Sequence, residues 1–320
     1  MALRQMAARP AVPSRRGHRF SITPYLFLAP SLLSVAILTL FPIASTAVLA
    51  FTNYNLYHFS DYTFVGLHNF QTLLAPGSAF SAVFLPVFVW TVTFAALTTV
   101  FNYAAGFVLA VLLNNPRLPE RAIYRTLLIV PYAIPSAISI LVWQGLLNQS
   151  FGAVDSVLTS LHLPSIPWLT DPTAARAAIL LVNLWLGFPF LMIVCLGGLQ
   201  AVPSDIYEAA SVDGATKLQQ LRALTLPLVF RVTTPAILGT FTFNMTNFNI
   251  IYLLTRGNPP RTDTPFAGTT DVLSTLIYNL TLQFHRFDYG AALGIIIFVI
   301  TGVLSVAGFW LTGSLKEMQA

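Results

Sequence analysis

The sequence predicts an all-α polytopic membrane protein with six transmembrane helices, and three observations predict it. Hydrophobic residues make up 56% of the 320 positions and charged residues only 8%, where a soluble domain carries about 25% charged residues. Six stretches reach the roughly 20 mostly apolar residues that a spanning helix needs. Lys and Arg concentrate in alternate connections, as the positive-inside rule requires. The formal charge of +5 is therefore a topology signal, and no nucleic-acid partner is needed to explain it.

Residues 1–23 form a basic tail with Arg4, Arg9, Arg15, Arg16 and Arg19. The apolar stretch after it starts near Tyr25 and runs to about Ala50. That exceeds the roughly 7–15 residues of a signal-peptide core, and no clear small-residue cleavage site follows, so it reads as a retained first span. The spans are placed at about 25–51, 84–113, 123–147, 177–201, 229–254 and 288–312 of one transmembrane domain, 24–315. Pro131 and Pro135 interrupt the third, which reads as a kinked span whose neighbours re-satisfy the backbone. With the N-terminus cytoplasmic, that side also holds Arg117, Arg121, Arg125, Lys217, Arg222, Arg231 and Lys316, while Arg176, Arg256, Arg261 and Arg286 face out. The bias is about threefold and places both termini inside. The outer connections, about 52–83, 148–176 and 255–287, are too short for a soluble domain with its own core.

Catalytic signatures are missing. No phosphate-binding G-x-x-x-x-G-K-[ST], no H-E-x-x-H and no G-x-S-x-G occurs, and His18, His58, His68, His162 and His285 are scattered. Cys195 is the single cysteine, which excludes an intramolecular disulfide and a Cys-based metal site and reads as a small buried hydrophobe. The spans hold no carboxylate except Asp288 at an edge, where a proton-coupled carrier would keep one near the midplane. The chain is thus expected to be no enzyme, to hold no metal or cofactor, and to draw any work from a partner.

One polar stretch breaks the pattern: "EAASVDGATKLQQLRALTLP", Glu208 to Pro227. Pro203 ends the fourth span, Ser204 or Asp205 is placed to cap a new helix, and Asp205 and Glu208 sit favourably near its N-terminus. Small residues follow at Ala209, Ala210 and Ser211. Gly214 suits a helix end with positive φ. After it, "TKLQQLRALTL" aligns Leu218, Leu221 and Leu224 on one side before Pro227. The element, 203–227, reads as helix, glycine bend and helix on the cytoplasmic face. Two uses fit: a socket in which Glu208 and Asp213 pair with a partner, or an amphipathic element lying on lipid headgroups.

This stretch resembles the EAA loop of ATP-binding-cassette importer permeases: Glu-Ala-Ala, then Asp-Gly-Ala, then an apolar helix ending Leu-Pro. "FVGLHNF", "YRTLLIVPYAIPSAISILVWQGLLNQSFG" and "NFNIIYLLTRGNPP" resemble the carbohydrate branch of that family. "WLTDPTAARAAILLVNLWLGFPF" and "AGTTDVLSTLIYNLTLQFHRFDYGAALG" are similar to the larger membrane subunit of maltose permeases (MalF type), and the resemblance covers about 24–315. It implies a type I ABC importer permease fold in a bacterial or archaeal cytoplasmic membrane. It also implies a coupling helix seated in an ATPase cleft through Glu208, Ala209, Ala210, Asp213, Gly214, Ala215 and Pro227. The partners implied are a second homologous permease (MalG type), an ATPase dimer (MalK type) that binds ATP and Mg, and an outer solute-binding protein (MalE type). The extra N-terminal spans and large outer domain of well-known members are missing here, so binding-protein docking is expected to use short loops.

For the cargo, Asn183, Leu186, Gly187 and Phe190 in the fourth span and Thr240, Phe243, Asn244 and Asn247 in the fifth each recur at i, i+3, i+4 and i+7, one helical face apiece. Both stripes start on the order of 10 Å below the outer end of their spans. Amides that donate and accept, flat aromatic faces and the room left by Gly187 suit a sugar, while intramembrane Asn and Gly are equally common helix adhesives. The resemblance implies sugar contact, because the matching family positions touch bound sugar. Phe190 replaces a frequent tyrosine and Thr240 a serine, which bears on which sugar is carried. A maltose- or maltodextrin-like sugar is the expected cargo; trehalose, glycerol-3-phosphate or a stand-alone secondary carrier are the alternatives. Asn102 and Tyr103 are expected to bond neighbouring helices, and Trp90 and Trp143 to pack or to sit in an interfacial belt. Outer Arg256, Arg261, Asp263 and Asp271 read either as a docking surface or as a solvated loop.

Overall fold

In lipid a chain must satisfy its own backbone, so long apolar stretches fold as helices. The computed structural model describes residues 23–78, 80–264 and 266–311. The basic tail, Lys316 and the end of the last predicted span lie outside these. The chain divides into two units, 1–46 and 47–320. Helix α1 (Thr23–Val35) passes through a π-helical turn, Ala36–Leu40, into α2 (Phe41–Leu49). There follow α3 (His68–Leu74), α4 (Ser81–Leu113), α5 (Arg121–Ala133), α6 (Ser136–Leu146), α7 (Ala153–Ser160) and α8 (Pro172–Gln200). Then come α9 (Ser204–Val212), α10 (Lys217–Gln220), α11 (Leu226–Met245), α12 (Phe248–Leu254), α13 (Leu273–Tyr278) and α14 (Phe287–Leu311). Among the described residues, five helical stretches are long and apolar enough to cross a membrane, and α5 with α6 makes a sixth if that bent pair is one span.

The helices depart from the predicted spans in three places, each for a local reason. The third is bent by 90° between α5 and α6 rather than kinked. Ile134 precedes Pro135 and is extended at ψ 136°, the conformation that a following proline imposes. The fifth starts at Lys217, ends at Met245, and leaves Thr246 and Asn247 outside a helix before α12. Asn247 therefore does not share the helical face of Thr240, Phe243 and Asn244. Third, Pro227 does not end a helix. A π-helical turn, Leu221–Thr225, joins α10 to α11 just ahead of it, with Leu226 N–H bonded to the Leu221 carbonyl. The wider turn accommodates a proline that would clash with the carbonyl four residues back in an α-helix.

Helices α4 and α8 run side by side in the same direction. Arg176 lies 4.5 Å over the Trp90 ring near their starts, and Phe107, Leu113, Cys195 and Leu199 share one buried cluster near their ends. Cys195 is fully buried, as its apolar surroundings predicted. Helix α11 meets α8 where Val229 and Thr233 pack on Gly198. Tyr103 reaches Thr233 of α11 at 3.5 Å, the interhelical role expected of it. Trp143 packs edge-on against Trp185, and the Trp90 indole donates to the Thr270 carbonyl. Helix α14 runs antiparallel to α11, with Thr242 and Ser305 hydroxyls 2.9 Å apart.

Candidate functional site: a cavity between discontinuous helices

The break between α5 and α6, one face of α8, and the end of α11 with Asn247–Ile250 enclose a cavity of about 720 Å³. Asn183, Leu186, Gly187, Phe190, Thr240, Phe243, Asn244 and Asn247 all line it. Asn247 reaches it from outside the helix, because the chain turns inward after Met245. Its Nδ2 donates to Asn244 Oδ1 at 3.3 Å, a local side-chain bond of the kind that competes with continued helix.

The lining residues of the two stripes fall into distinct groups. Asn183 and Asn244 are buried, and their amides bond to each other at 3.0 Å, so helix adhesion claims both. Phe190 and Phe243 are 38% and 66% exposed and line the cavity. Gly187 does not simply leave room for a ligand. A Cβ there would come within 2.3 Å of Asn102 Nδ2, so the space beside it holds the Asn102 amide. Tyr132, which stacks on Phe190 with ring centroids 6.3 Å apart, and Ser136 also line the cavity. Both lie at the α5–α6 break. The sequence signal was present in Pro131 and Pro135, since proline-interrupted spans tend to border binding cavities.

At the other end of α8, the helix–bend–helix element forms as expected around Gly214, with φ +82°. Its capping differs. Pro203 holds the cap position of α9 without a side-chain bond, and Ser204 is the first helical residue. Glu208, Ala209, Asp213 and Gly214 are exposed, while Ala210 and Ala215 are half-buried. The paired glutamines brace it. Gln219 completes a capping box with Thr216, and buried Gln220 donates to Ser211 Oγ at 2.9 Å and to the Ala215 carbonyl. Tyr207 and Thr225 hydroxyls lie 3.2 Å apart and tie α9 to the π-helical turn.

The loop after α12 corrects one expectation. Asp271 is 2% exposed and so offers no surface for docking. Its Oδ2 accepts from Gly268 N–H at 2.7 Å and from Asn279, while Oδ1 is buried without a partner. Burial pushes its carboxyl above the ordinary carboxylate value, and these hydrogen bonds only partly oppose that. A folded-state value above the unfolded one means that ionisation opposes folding. Stability is therefore expected to fall as pH rises through the unfolded carboxylate range up to the folded value. Asp271→Asn should raise the thermal midpoint of the detergent-solubilised protein by about 2–4 °C at pH 7, with little change at pH 4. A lowered midpoint at pH 7 would contradict this account. Exposed Asp263 is instead bonded by Arg261, which holds its carboxyl below the usual range. Asp288 is buried and forked onto Arg286 at 2.9 Å.

Discontinuous membrane helices around an uncharged, largely apolar cavity are an arrangement that membrane transport subunits use to line a solute site. Residues 102–315 match the family of binding-protein-dependent transport system inner membrane components, and the chain belongs to that family. These are transport subunits of the membrane, not enzymes. The chain is 39% identical over 297 residues to the galactooligosaccharides transport system permease protein GanP of Bacillus subtilis (strain 168), covering 92% of this chain and 71% of GanP. It is 44% identical over 228 residues to the maltose/maltodextrin transport system permease protein MalF of Escherichia coli (strain K12), covering 70% of this chain and 44% of MalF. The chain thus spans about half the length or less of its MalF relatives. Its fold is similar to a crystal structure of a bacterial ABC transporter involved in import of the acidic polysaccharide alginate. The TM-score is 0.76 at 25% identity, over 91% of this chain and 95% of that one, which makes this a type I ABC importer permease fold.

Proposed function

We propose that this chain is the membrane-spanning permease subunit of an ATP-driven importer that carries a maltose- or maltodextrin-like sugar across the cytoplasmic membrane of a bacterium or archaeon. The observation that carries the reading is the cavity wall, where every lining side chain is uncharged and asparagines share an otherwise largely apolar lining with Tyr132, Phe190 and Phe243. Its volume of about 720 Å³ lies within the roughly 300–1,000 Å³ of small-molecule sites. An anion such as glycerol-3-phosphate, or an acidic sugar, would lose water there without meeting a counter-charge on this wall. Hydroxyls find donors and acceptors in the amides of Asn247 and Asn249, which line the cavity without being buried, and C–H faces of a sugar ring find Phe190 and Phe243. The names of GanP and MalF, both relatives that handle neutral oligosaccharides, support the cargo class.

ATP and Mg would bind a separate ATPase dimer (MalK type), which receives the exposed α9 through Glu208, Ala209, Ala210, Asp213, Gly214 and Ala215. Pro227 lies beyond the elbow and acts by shaping the helix that leaves it. A second permease (MalG type) completes the pathway, and an outer binding protein (MalE type) delivers the sugar. Alternating access follows when ATPase closure moves the two elbows. The arginine bias supports cytoplasmic termini and a cytoplasmic α9.

The test is ATP hydrolysis and labelled-sugar uptake by the reconstituted complex with its binding protein, using maltose, maltotriose, a galactooligosaccharide, trehalose and glycerol-3-phosphate. Maltose or maltotriose should stimulate hydrolysis, and glycerol-3-phosphate should not. Asn247→Ala should assemble yet lower uptake about tenfold, the worth of one hydrogen bond of the stronger kind. Stimulation only by a galactooligosaccharide would move the cargo to that sugar class. Uptake continuing without ATP but with a proton gradient would replace the importer by a stand-alone carrier.

A further inference from the structure

Three buried amides link three helices at the wall of the cavity. Asn102 of α4, Asn183 of α8 and Asn244 of α11 are 1%, 5% and 2% exposed. Asn102 Nδ2 donates to Asn183 Oδ1 at 3.0 Å, and Asn183 Nδ2 donates to Asn244 Oδ1 at 3.0 Å. Asn244 Nδ2 donates to the Thr240 carbonyl, again at 3.0 Å.

The last link fixes the direction of the others. A backbone carbonyl only accepts, so Asn244 must spend its nitrogen there and turn its oxygen to Asn183. Asn183 must then present its nitrogen to Asn244, which leaves its oxygen for a donor on α4. Asn102 supplies that donor. The direction has a consequence at each end. At the α4 end, Asn102 Oδ1 is buried with no donor. At the cavity end, Asn244 Oδ1 also accepts from Asn247 Nδ2, so one amide hydrogen of Asn247 is committed and its carbonyl oxygen is left for the cavity.

The slot that holds Asn102 is shaped for it. A Cβ on Gly187 would lie 2.3 Å from its Nδ2 and 2.8 Å from its Cγ, so only glycine lets the amide sit there. A buried donor with a dedicated slot, an obligatory direction and an orphaned oxygen is more than generic helix adhesion needs.

We propose that Asn102, at the cavity wall but only 1% exposed and with its amide nitrogen given to Asn183, is a positioning residue of the cavity: it holds Asn183, and through it Asn244, so that Asn247 turns an acceptor toward a sugar hydroxyl. This rests on the sugar-permease reading. Loss of Asn102 would free Asn183 to rotate, and Asn244 and Asn247 would lose their common geometry while the helices stayed packed.

The experiment compares Asn102→Leu, which keeps the side-chain size without the donor, with Gly187→Ala, which pushes the amide out of its slot. Both are reconstituted with the ATPase and binding protein, beside wild type and Asn247→Ala, and [¹⁴C]maltose uptake and ATP hydrolysis are measured together. The expected result is uptake lowered about tenfold in both variants, with stimulated hydrolysis within about twofold of wild type, because the loaded binding protein acts ahead of the cavity. A purely structural role would lower uptake, hydrolysis and assembled complex in parallel, and that outcome overturns the proposal. So does wild-type uptake in both variants when Asn247→Ala has lost it. Wild-type uptake in Asn247→Ala as well would remove the cavity reading beneath the proposal.

Discussion

Gly214→Val should cut coupled uptake by roughly 5–30-fold, whereas Gly214→Asn should retain most of it. Gly214 sits at φ +82°, and a Cβ built on it meets nothing within 4 Å. Space is therefore not what requires glycine; backbone conformation is. The left-handed region costs an ordinary L-residue about 1–2 kcal/mol, more for a β-branched one, while asparagine visits it comparatively freely. A penalty of that size shifts a conformational ratio by roughly 5–30-fold. The elbow is otherwise braced, with Ala215 N–H on the Ala210 carbonyl at 2.9 Å and Gln220 clamped on Ser211. Valine would set φ against those bonds and swing α9 relative to α10. In the proposed importer α9 passes ATPase motion to the cavity, so the Val variant should hydrolyse ATP with little uptake or hold the ATPase poorly. Co-purification of the ATPase and sugar uptake by proteoliposomes distinguish these. Wild-type uptake by the Val variant would sink the coupling role of this bend.

The contrast between Gly214 and Asn247 shows what the sequence made legible. Lipid imposes both length and polarity on a spanning helix, so the spans could be placed, and the single glycine in a polar run marked the bend. The Asn183–Phe190 stripe was equally readable, because α8 is one helix through it and its i, i+3, i+4, i+7 spacing holds. The second stripe fails at its last member, since α11 ends at Met245, yet Asn247 still lines the cavity. No periodicity foretells a chain that breaks and turns back to the same wall. Asn102 was legible as a residue bonded across helices, but not its partner, because the 3.0 Å contact with Asn183 depends on how α4 and α8 lie together. Asp271 misled for the same reason: a carboxylate in an outer connection reads as solvated until the fold brings Gly257 against it and bonds Gly268 N–H to it.

Gly106→Val should prevent the protein from accumulating in folded form. Gly106 on α4 faces α8 so closely that a Cβ would come within 2.7 Å of Met192 N, 2.9 Å of the Leu191 carbonyl carbon and 3.1 Å of the Phe188 oxygen. All three are backbone atoms, so no rotamer change relieves the contact and the helices must separate. Small residues let membrane helices approach this closely, and their packing contacts replace the hydrophobic drive that lipid removes. Overpacking by extra methyls typically costs about 1–3 kcal/mol, occasionally more, and here the cost falls on the helix pair that carries Asn102 and Asn183. Gly106→Ala separates two roles of this crossing. Its single methyl should lower the thermal midpoint in detergent while leaving enough protein to assemble. Because Asn102 lies about one turn away, the same displacement should stretch its bond to Asn183 and cut uptake more deeply than assembly. Val yielding monodisperse protein at wild-type levels would mean that the helices need not meet at Gly106. Ala lowering assembly and uptake in equal proportion would mean that the crossing holds the helices together without setting the amides.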